Sequence, residues 1–296
     1  MKWIKRLADT GTIDRLPQSG RPKVLQEAQV QNIVEEFTLN PFSCAASTAS
    51  AYNVSAPTIS RTLKDAGMHH RIPAQKPILT SAHRAARVAF AENNLNTDWE
   101  RVIFTDEKVF KSDHHAKLHM YRPIQMRYNE KYIQRTRVSG QISCGVWGWI
   151  SAGGVGELSE ISQHMNSQEY LEILRDVMIP SVTTVYPEEF PIHFMQDNSA
   201  VHKSRETMNW LNRNLQILPI SWPAYSPDLN PIENIWGYMV KDWKPLYPRT
   251  KEEVLKRVFD KWDELRGNPN LCQQLVASMP NRLREVIDND GYWTHY

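Results

Sequence analysis

Apolar positions recur at helical spacing through the first part of the chain. Trp3, Ile4 and Leu7 form a short stripe that stops at Gly11. A helix this short is marginal alone, so it reads as the tail of a longer unit. Pro17, Gly20 and Pro22 then rule out regular structure and mark a linker. Val30, Ile33, Val34 and Phe37 make a second stripe, closed by Asn40 and Pro41. SCAASTASAYN reads as a short helix of small residues, and Asn53-Val54-Ser55 as a tight turn with Ser55 in the capping position. APTISRTLKDAG is a third helix, with Ile59 and Leu63 inward and Gly67 as its stop. Three helices with a short turn before the last are either a helix-turn-helix unit or a three-helix bundle with no DNA role. In the first case the start of the third helix enters a major groove, and Thr58, Ser60 and Arg61 are the candidate readers.

HHRIPAQKP is a basic, proline-bearing connector, and SAHRAARVAFAENNL a helix that Ser81 would cap. The period then changes. RVIFTDEKVF is apolar and β-branched on both sides of Thr105-Asp106-Glu107, as in a buried strand. HAKLHMYRP predicts another strand, and SGQISCGVWGWISAGGVGELSEIS two strands joined by a glycine-rich turn. SQEYLEILRDVMIPSV is an amphipathic helix, PIHFMQDN a strand with a polar end, VHKSRETMNWLNRN a helix and LQILPIS a short buried strand. A proline-rich loop leads into a helix from about Asn230, and the remainder is helical. Alternating strands and helices of this kind predict an α/β or α+β domain with a mixed sheet.

Composition narrows this picture little. The 296 residues, 41% hydrophobic and 23% charged, are those of a globular protein with room for two domains. No transmembrane helix is expected, and the start has no apolar core of a signal peptide. Cys44, Cys144 and Cys272 have neither disulfide nor zinc spacing and read as small buried or half-buried residues in a reducing compartment. The charge distribution says more than the net +2. Residues 1–92 carry 12 Lys+Arg against 7 Asp+Glu, and the rest carries 23 against 26. A basic front and a faintly acidic rear fit a nucleic-acid-binding arm on a larger body.

The acids are the candidate chemistry. Asp106 interrupts an apolar strand and Asp197 ends another. An ionised carboxylate is costly to bury unless paired or bound to a cation. Two on adjacent strands would share a site, and a third from a helix would complete a two-metal centre for phosphoryl transfer. Glu233 is the candidate third. Pro227 and Pro231 restrict the start of its helix, which sets the face that carries it, while Trp236 and Met239 anchor that helix in the core. Each Asp alone, near a strand end, is more often a cap or turn residue. Asp228 and Asn230 read as turn-makers, and Glu107 as a solvated or ion-paired group on the opposite side of its strand.

FTDEKVF, MQDNSAVHKS and WPAYSPDLNPIENIW strongly resemble the three catalytic blocks of Tc1/mariner-type transposases, nearest the Tc1-like branch of the DDE superfamily. GRPK resembles that family's minor-groove hook, and CGVWGWISAGGVGELSEI its middle strands; the likeness covers nearly the whole chain. It implies an α/β fold: an RNase H-like catalytic domain with a mixed sheet flanked by helices, preceded by an all-α helix-turn-helix region. The expected divisions are a remnant of a first helix-turn-helix (1–16), a basic linker (17–24), a helix-turn-helix domain (25–75), a connector helix (76–98) and the catalytic domain (99–296).

The resemblance further implies a DDE triad of Asp106, Asp197 and Glu233 holding two Mg²⁺ (or Mn²⁺) ions. Asn198, His202 and Asn234 would be polar supports beside the metals, His202 as a structural hydrogen bond rather than a general base. The activity implied is cut-and-paste transposition, with cleavage at transposon ends and strand transfer into target DNA. The partner is double-stranded DNA, contacted by Arg15, Arg21 and Lys23 in the linker and by Thr58, Ser60, Arg61 and Lys64 at the major groove. A homodimer acting in the nucleus, with no membrane role, completes the expectation. The alternatives are a catalytically silent, domesticated or relic DNA-binding protein, and a nuclease that cuts without strand transfer. Two features depart from the family. Its members begin with two helix-turn-helix units, and this chain starts inside what reads as the last helix of the first. In addition, 35 residues separate Asp197 from Glu233, one more than is usual in the Tc1-like branch. In a loop that extra residue is harmless; within the helix it would rotate Glu233 off the site.

Overall fold

The computed structural model describes residues 2–11, 22–71, 76–113, 141–188, 191–244 and 250–296. Arg15, Arg21 and the strand expected over 115–123 lie outside the described residues. The chain divides into two compact units, 1–76 and 77–296.

In the first unit, α1 (Lys2–Thr10) ends at Gly11, whose φ of 71° is left-handed. The helices α2 (Glu27–Leu39), α3 (Ala45–Ala51) and α4 (Ala56–Asp65) enclose a small core of Leu25, Ile33, Phe37, Ala49, Ile59 and Leu63. These include the inward positions that the helical spacing selects. Asn53 makes the tight turn between α3 and α4 at φ 52°, and Gly67 closes α4 at φ 82°. Ser55 occupies the capping position of α4, but its hydroxyl bonds the Thr58 hydroxyl at 2.9 Å rather than a helix N–H. Ser60, Arg61 and Lys64 are exposed on the outer face of α4, Thr58 is half-buried there, and Lys23 is exposed ahead of α2.

Among the described residues the second unit is built on a five-stranded sheet in the order β3-β2-β1-β4-β5. Its strands are β1 (Val102–Lys111), β2 (Ser143–Ser151), β3 (Gly154–Ile161), β4 (Ile192–Met195) and β5 (Ile217–Pro219). The first three form an antiparallel meander, while β4 and β5 run parallel to β1. Alternation along the strands sorts side chains into two cores. On one face Phe104, Phe110, Val146 and Ile150 meet α9 (Ile232–Val240), α10 (Lys251–Arg266), α11 (Pro269–Ala277) and α12 (Met279–Asp288). On the other, Ile103, Trp147 and Trp149 meet α6 (Ser167–Glu172), α7 (Ile179–Val185) and α8 (Arg205–Arg213). The helix expected over SQEYLEILRDVMIPSV passes through a π-helical stretch, Ile173–Met178, between α6 and α7.

Three expectations are corrected. The helix α5 (Ser81–Asn94) is capped by Thr80, whose hydroxyl accepts from the His83 N–H at 3.2 Å, not by Ser81. Nor is α5 a connector. It belongs to the second unit, where Arg87, Phe90 and Ala91 are buried and its partner is α12. Cys144 and Cys272 are buried as expected, but Cys44 is exposed. Among the described residues no helix is long and apolar enough to cross a membrane.

Candidate active site

The parallel pairing of β1 with β4 sets the first two acids. Phe104 lies opposite Met195. Carrying that register two residues further on each chain brings Asp106 beside Asp197. On its other side Asp106 pairs with Gly148 of β2. A Cβ on Gly148 would fall 3.2 Å from both the Trp236 and Trp262 rings and 2.9 Å from Leu158. The glycine thus makes the space into which α9 inserts Trp236, whose indole N–H donates to Asp106 Oδ2 at 2.9 Å.

Glu233 is the second residue of α9 and comes to the same cleft. Pro227–Leu229 form a 3₁₀ turn, and Asn230 then pins the loop to β1 by donating from Nδ2 to the Thr105 carbonyl at 3.1 Å. Thr105 Oγ1 donates in turn to the Met195 carbonyl at 2.6 Å. One hydrogen-bonded line therefore links the three segments that carry the acids. Asp106, Asp197 and Glu233 all line a cleft of about 440 Å³, with Asn198, Tyr225 and Asn230 among its other walls. A second cavity of about 620 Å³ opens at the opposite end of β1 and β4, around Arg101, Val102 and His193, away from these acids.

Burial pushes the Asp106 carboxyl well above the usual carboxylate range, and the nearby charges of Glu233 and Glu107 push the same way; the Trp236 N–H opposes them. Lys108 stands 3.6 Å from Glu233 Oε2. Asp197 behaves differently. Its partial burial would raise it, but His202 and the Ser199 N–H, which donates at 2.8 Å, hold it below the usual value. His202 is buried with Nδ1 2.7 Å from Asp197 Oδ1 and Nε2 3.2 Å from Glu107 Oε1. Burial would lower its pKa, yet the two carboxylates carry it up to about 9. At neutral pH it is an imidazolium with both nitrogens engaged, which suits a strap and not a general base. Glu107 does face the other side of β1 from Asp106, and its partner there is the histidine that holds Asp197.

Asn198 donates to the Trp222 carbonyl at 2.9 Å, tying the Asp197 loop to the loop before α9. Asn234 is turned to α12: its Oδ1 accepts from Arg282 Nη2 at 2.7 Å, so it braces the helix that carries Glu233. Asp228 is more than a turn-maker. Fully buried, it accepts from Arg87 Nη1 at 2.8 Å and Nη2 at 2.7 Å. Arg87, Arg282 and the ionic role of Asp228 went unread in the sequence. The available signal was an arginine on each buried stripe, Arg87 with Phe90 and Ala91, and Arg282 with Met279, Leu283 and Val286.

The charged groups lining the cleft are the carboxylates of Asp106, Asp197 and Glu233, the ligand type of a hard divalent cation. Among the described residues no three His, Cys, Asp or Glu side chains close on a point by themselves. The set fits an ion that keeps waters and shares phosphate oxygens with its substrate.

A family described as DDE superfamily endonuclease matches residues 101–255, and a Tc3-type helix-turn-helix family described as transposase matches residues 31–96. The Tcb2 transposase of Caenorhabditis briggsae is 32% identical over 243 residues, covering 81% of this chain and 87% of that protein. The Tc3 transposase of Caenorhabditis elegans is 30% identical over 302 residues, covering 100% of this chain and 88% of that protein. Among solved structures, the pre-cleavage Mos1 transpososome superposes with a TM-score of 0.78 at 18% identity, over 99% of this chain and 87% of that one. The Mos1 paired-end complex with Mg gives 0.77 at 20% identity, with the same coverage. The family matches and the fold are those of a DDE nucleotidyl-transfer enzyme. The chain belongs to the Tc1/mariner transposases of the DDE superfamily.

Proposed function

We propose that this transposase cuts DNA at the ends of its element and joins those ends to target DNA, using Mg²⁺ or Mn²⁺ held by Asp106, Asp197 and Glu233. The observation that carries the assignment of residues is the delivery of three carboxylates, from β1, from the end of β4 and from the first turn of α9, to one cleft. The carboxyl of Asp106 is the most telling, because desolvation beside Glu233 and Glu107 leaves it in want of a cation. Two divalent ions, when bound, would supply a nucleophilic oxygen at neutral pH and stabilise the leaving oxygen. The protein's own part is to hold the acids in register, with Trp236 fixing the Asp106 rotamer and His202 that of Asp197. Lys108, beside Glu233, is placed to meet a DNA phosphate.

In the first unit, Ser60, Arg61 and Lys64 on the outer face of α4 would meet the major groove, with Thr58 at its edge, and Lys23 with Arg15 and Arg21 the adjacent minor groove or backbone. The likeness to a Mos1 paired-end complex with a transposon end supports DNA as partner, and a homodimer acting on paired ends is part of the proposal. The place of action belonging to this proposal is the nucleus.

The test is divalent-ion-dependent nicking and end joining on DNA that carries the element's terminal repeats, with wild type beside Asp197→Ala. Cleavage and joined products in wild type alone are expected; equal cleavage by both would remove Asp197 from the reaction. In the same assay Arg61→Ala and Lys64→Ala should each reduce the salt slope of DNA binding by roughly one. An unchanged slope would move the interface off α4.

A further inference from the structure

We propose that Arg87, Asp228 and the C-terminal residues around Thr294 form a positioning hub that sets Glu233 against Asp106. The inference rests on the reading of Glu233 as a metal-holding group and extends the working site to parts of the chain far from the three acids.

Arg87, on α5, is fully buried, and all three of its nitrogens donate. Nε reaches the Gly291 carbonyl at 3.0 Å and Nη2 the Tyr292 carbonyl at 3.1 Å. Nη1 reaches the Tyr225 carbonyl at 3.2 Å and Ser226 Oγ at 2.8 Å, besides the bidentate bond to Asp228. Asp228 Oδ2 also accepts from the Thr294 N–H at 3.0 Å and its hydroxyl at 3.1 Å. One guanidinium therefore fastens the loop 225–228 and the C-terminal segment to α5. The close approach depends on Gly291, at φ +80°, where a Cβ would fall 2.4 Å from the Arg84 carbonyl oxygen.

The hub connects forward to Glu233 by two routes. Arg282 on α12 donates from Nη1 to the Asp228 carbonyl at 2.8 Å and from Nη2 to Asn234 Oδ1, the residue next to Glu233. Asn230, two residues beyond Asp228, bonds the Thr105 carbonyl immediately before Asp106. A buried ion pair is a poor source of net stability, because desolvation offsets most of the attraction, but it discriminates strongly among arrangements of the groups around it. Here the arrangement selected is that of the loop that delivers Glu233. Mg²⁺ tolerates little departure from octahedral geometry, so such a loop must be set before the ion arrives.

Thr294→Val tests this gently, since it removes one hydroxyl and leaves the Arg87–Asp228 pair intact; Asp228→Asn is the stronger variant. Hydrogen exchange of the amides over 226–233 and calorimetric Mn²⁺ affinity are measured in the DNA-free protein, and then Mg²⁺-dependent cleavage with DNA. Expected for Thr294→Val is a native-like circular dichroism spectrum and unchanged DNA affinity. Faster exchange over 226–233 and Mn²⁺ binding weakened by about tenfold should accompany these. Lower melting temperature with wild-type exchange over 226–233 and wild-type Mn²⁺ affinity would overturn the hub. Glu233→Gln run in parallel separates the two ideas: if it binds Mn²⁺ as wild type does, the metal role of Glu233 fails, whereas the exchange data still judge the hub.

Discussion

Asp106 sits on a central strand beneath tryptophan rings, whereas Asp197 sits on a loop with 54% of its side chain exposed. The first is held by a neutral donor, the Trp236 N–H, and left electrostatically short; the second is held by a charged one, His202, and is comfortable ionised. In exposure Glu233 lies between the two, at 38%, with Lys108 beside it. A site built this way has one acid that needs a cation and one that is already satisfied without it. In the proposed metal site the buried acid would supply the driving force for binding, and the strapped acid a fixed second ligand. That division explains why apolar packing and a histidine can serve the same cleft.

The largest expected effect breaks both halves at once. Asp106→Ala and Asp197→Ala should each lower strand cleavage by at least about a thousandfold, and the double variant should be little worse than either, since ligands of one centre act as a unit. Rates that multiply in the double variant would mean the two acids serve separate steps. Next in size is the strap. His202→Gln keeps one polar contact but cannot span from Asp197 to Glu107 with a charge. A loss of roughly 10–100-fold in metal affinity is expected, read by calorimetry with Mn²⁺, with DNA affinity unchanged. The strap also has a pH signature in metal-free protein. The pKa of His202 is raised to about 9, so its stabilisation is complete below its ordinary value near 6.5 and lost as pH rises through about 9. Melting temperature should fall over that window in wild type and stay flat in His202→Gln.

Much of the buried half could be read in the sequence, because it rests on local pattern. An Asp inside an apolar run announces a strand with a functional interruption, and two prolines ahead of Glu233 announce a fixed helix start. The extra residue between Asp197 and Glu233 left the helix in phase: Glu233 faces the cleft while Trp236, one turn on, reaches Asp106. The supports were harder. Arg87 and Asp228 are 141 positions apart, and Glu107 and His202 are 95 apart. No local period joins such pairs. Asp228 looked like a turn-maker because in sequence it follows a proline and stands two residues before Asn230, and its ionic partner becomes visible when α5 packs beside α12. The partner of Asn234 was hidden for a related reason. A residue adjacent to a site acid on a helix points about 100° away from it, toward whatever helix lies there, here α12.

The smallest effect is the most discriminating for the comparison, because the two aspartates should respond with opposite sign. Asp106 has a folded-state pKa above its unfolded one, so ionising it costs stability in metal-free protein, and stability is recovered as pH falls through the raised value. Asp197 has a lowered pKa, so its contribution is present above the usual carboxylate range and lost as pH falls below it. Asp106→Asn keeps an acceptor for the Trp236 N–H and removes the unpaired charge. In the presence of a chelator it should raise the melting temperature by about 2–4 °C, the shift that roughly 1 kcal/mol produces in a domain of this size. Asp197→Asn should lower it, because His202 loses its charged partner. Added Mn²⁺ should stabilise wild type through preferential binding to the folded state and leave Asp106→Asn nearly unmoved. A lower melting temperature for Asp106→Asn in chelator would mean that the buried carboxylate is already satisfied by its neighbours, and the driving force for the metal would have to be sought at Glu233.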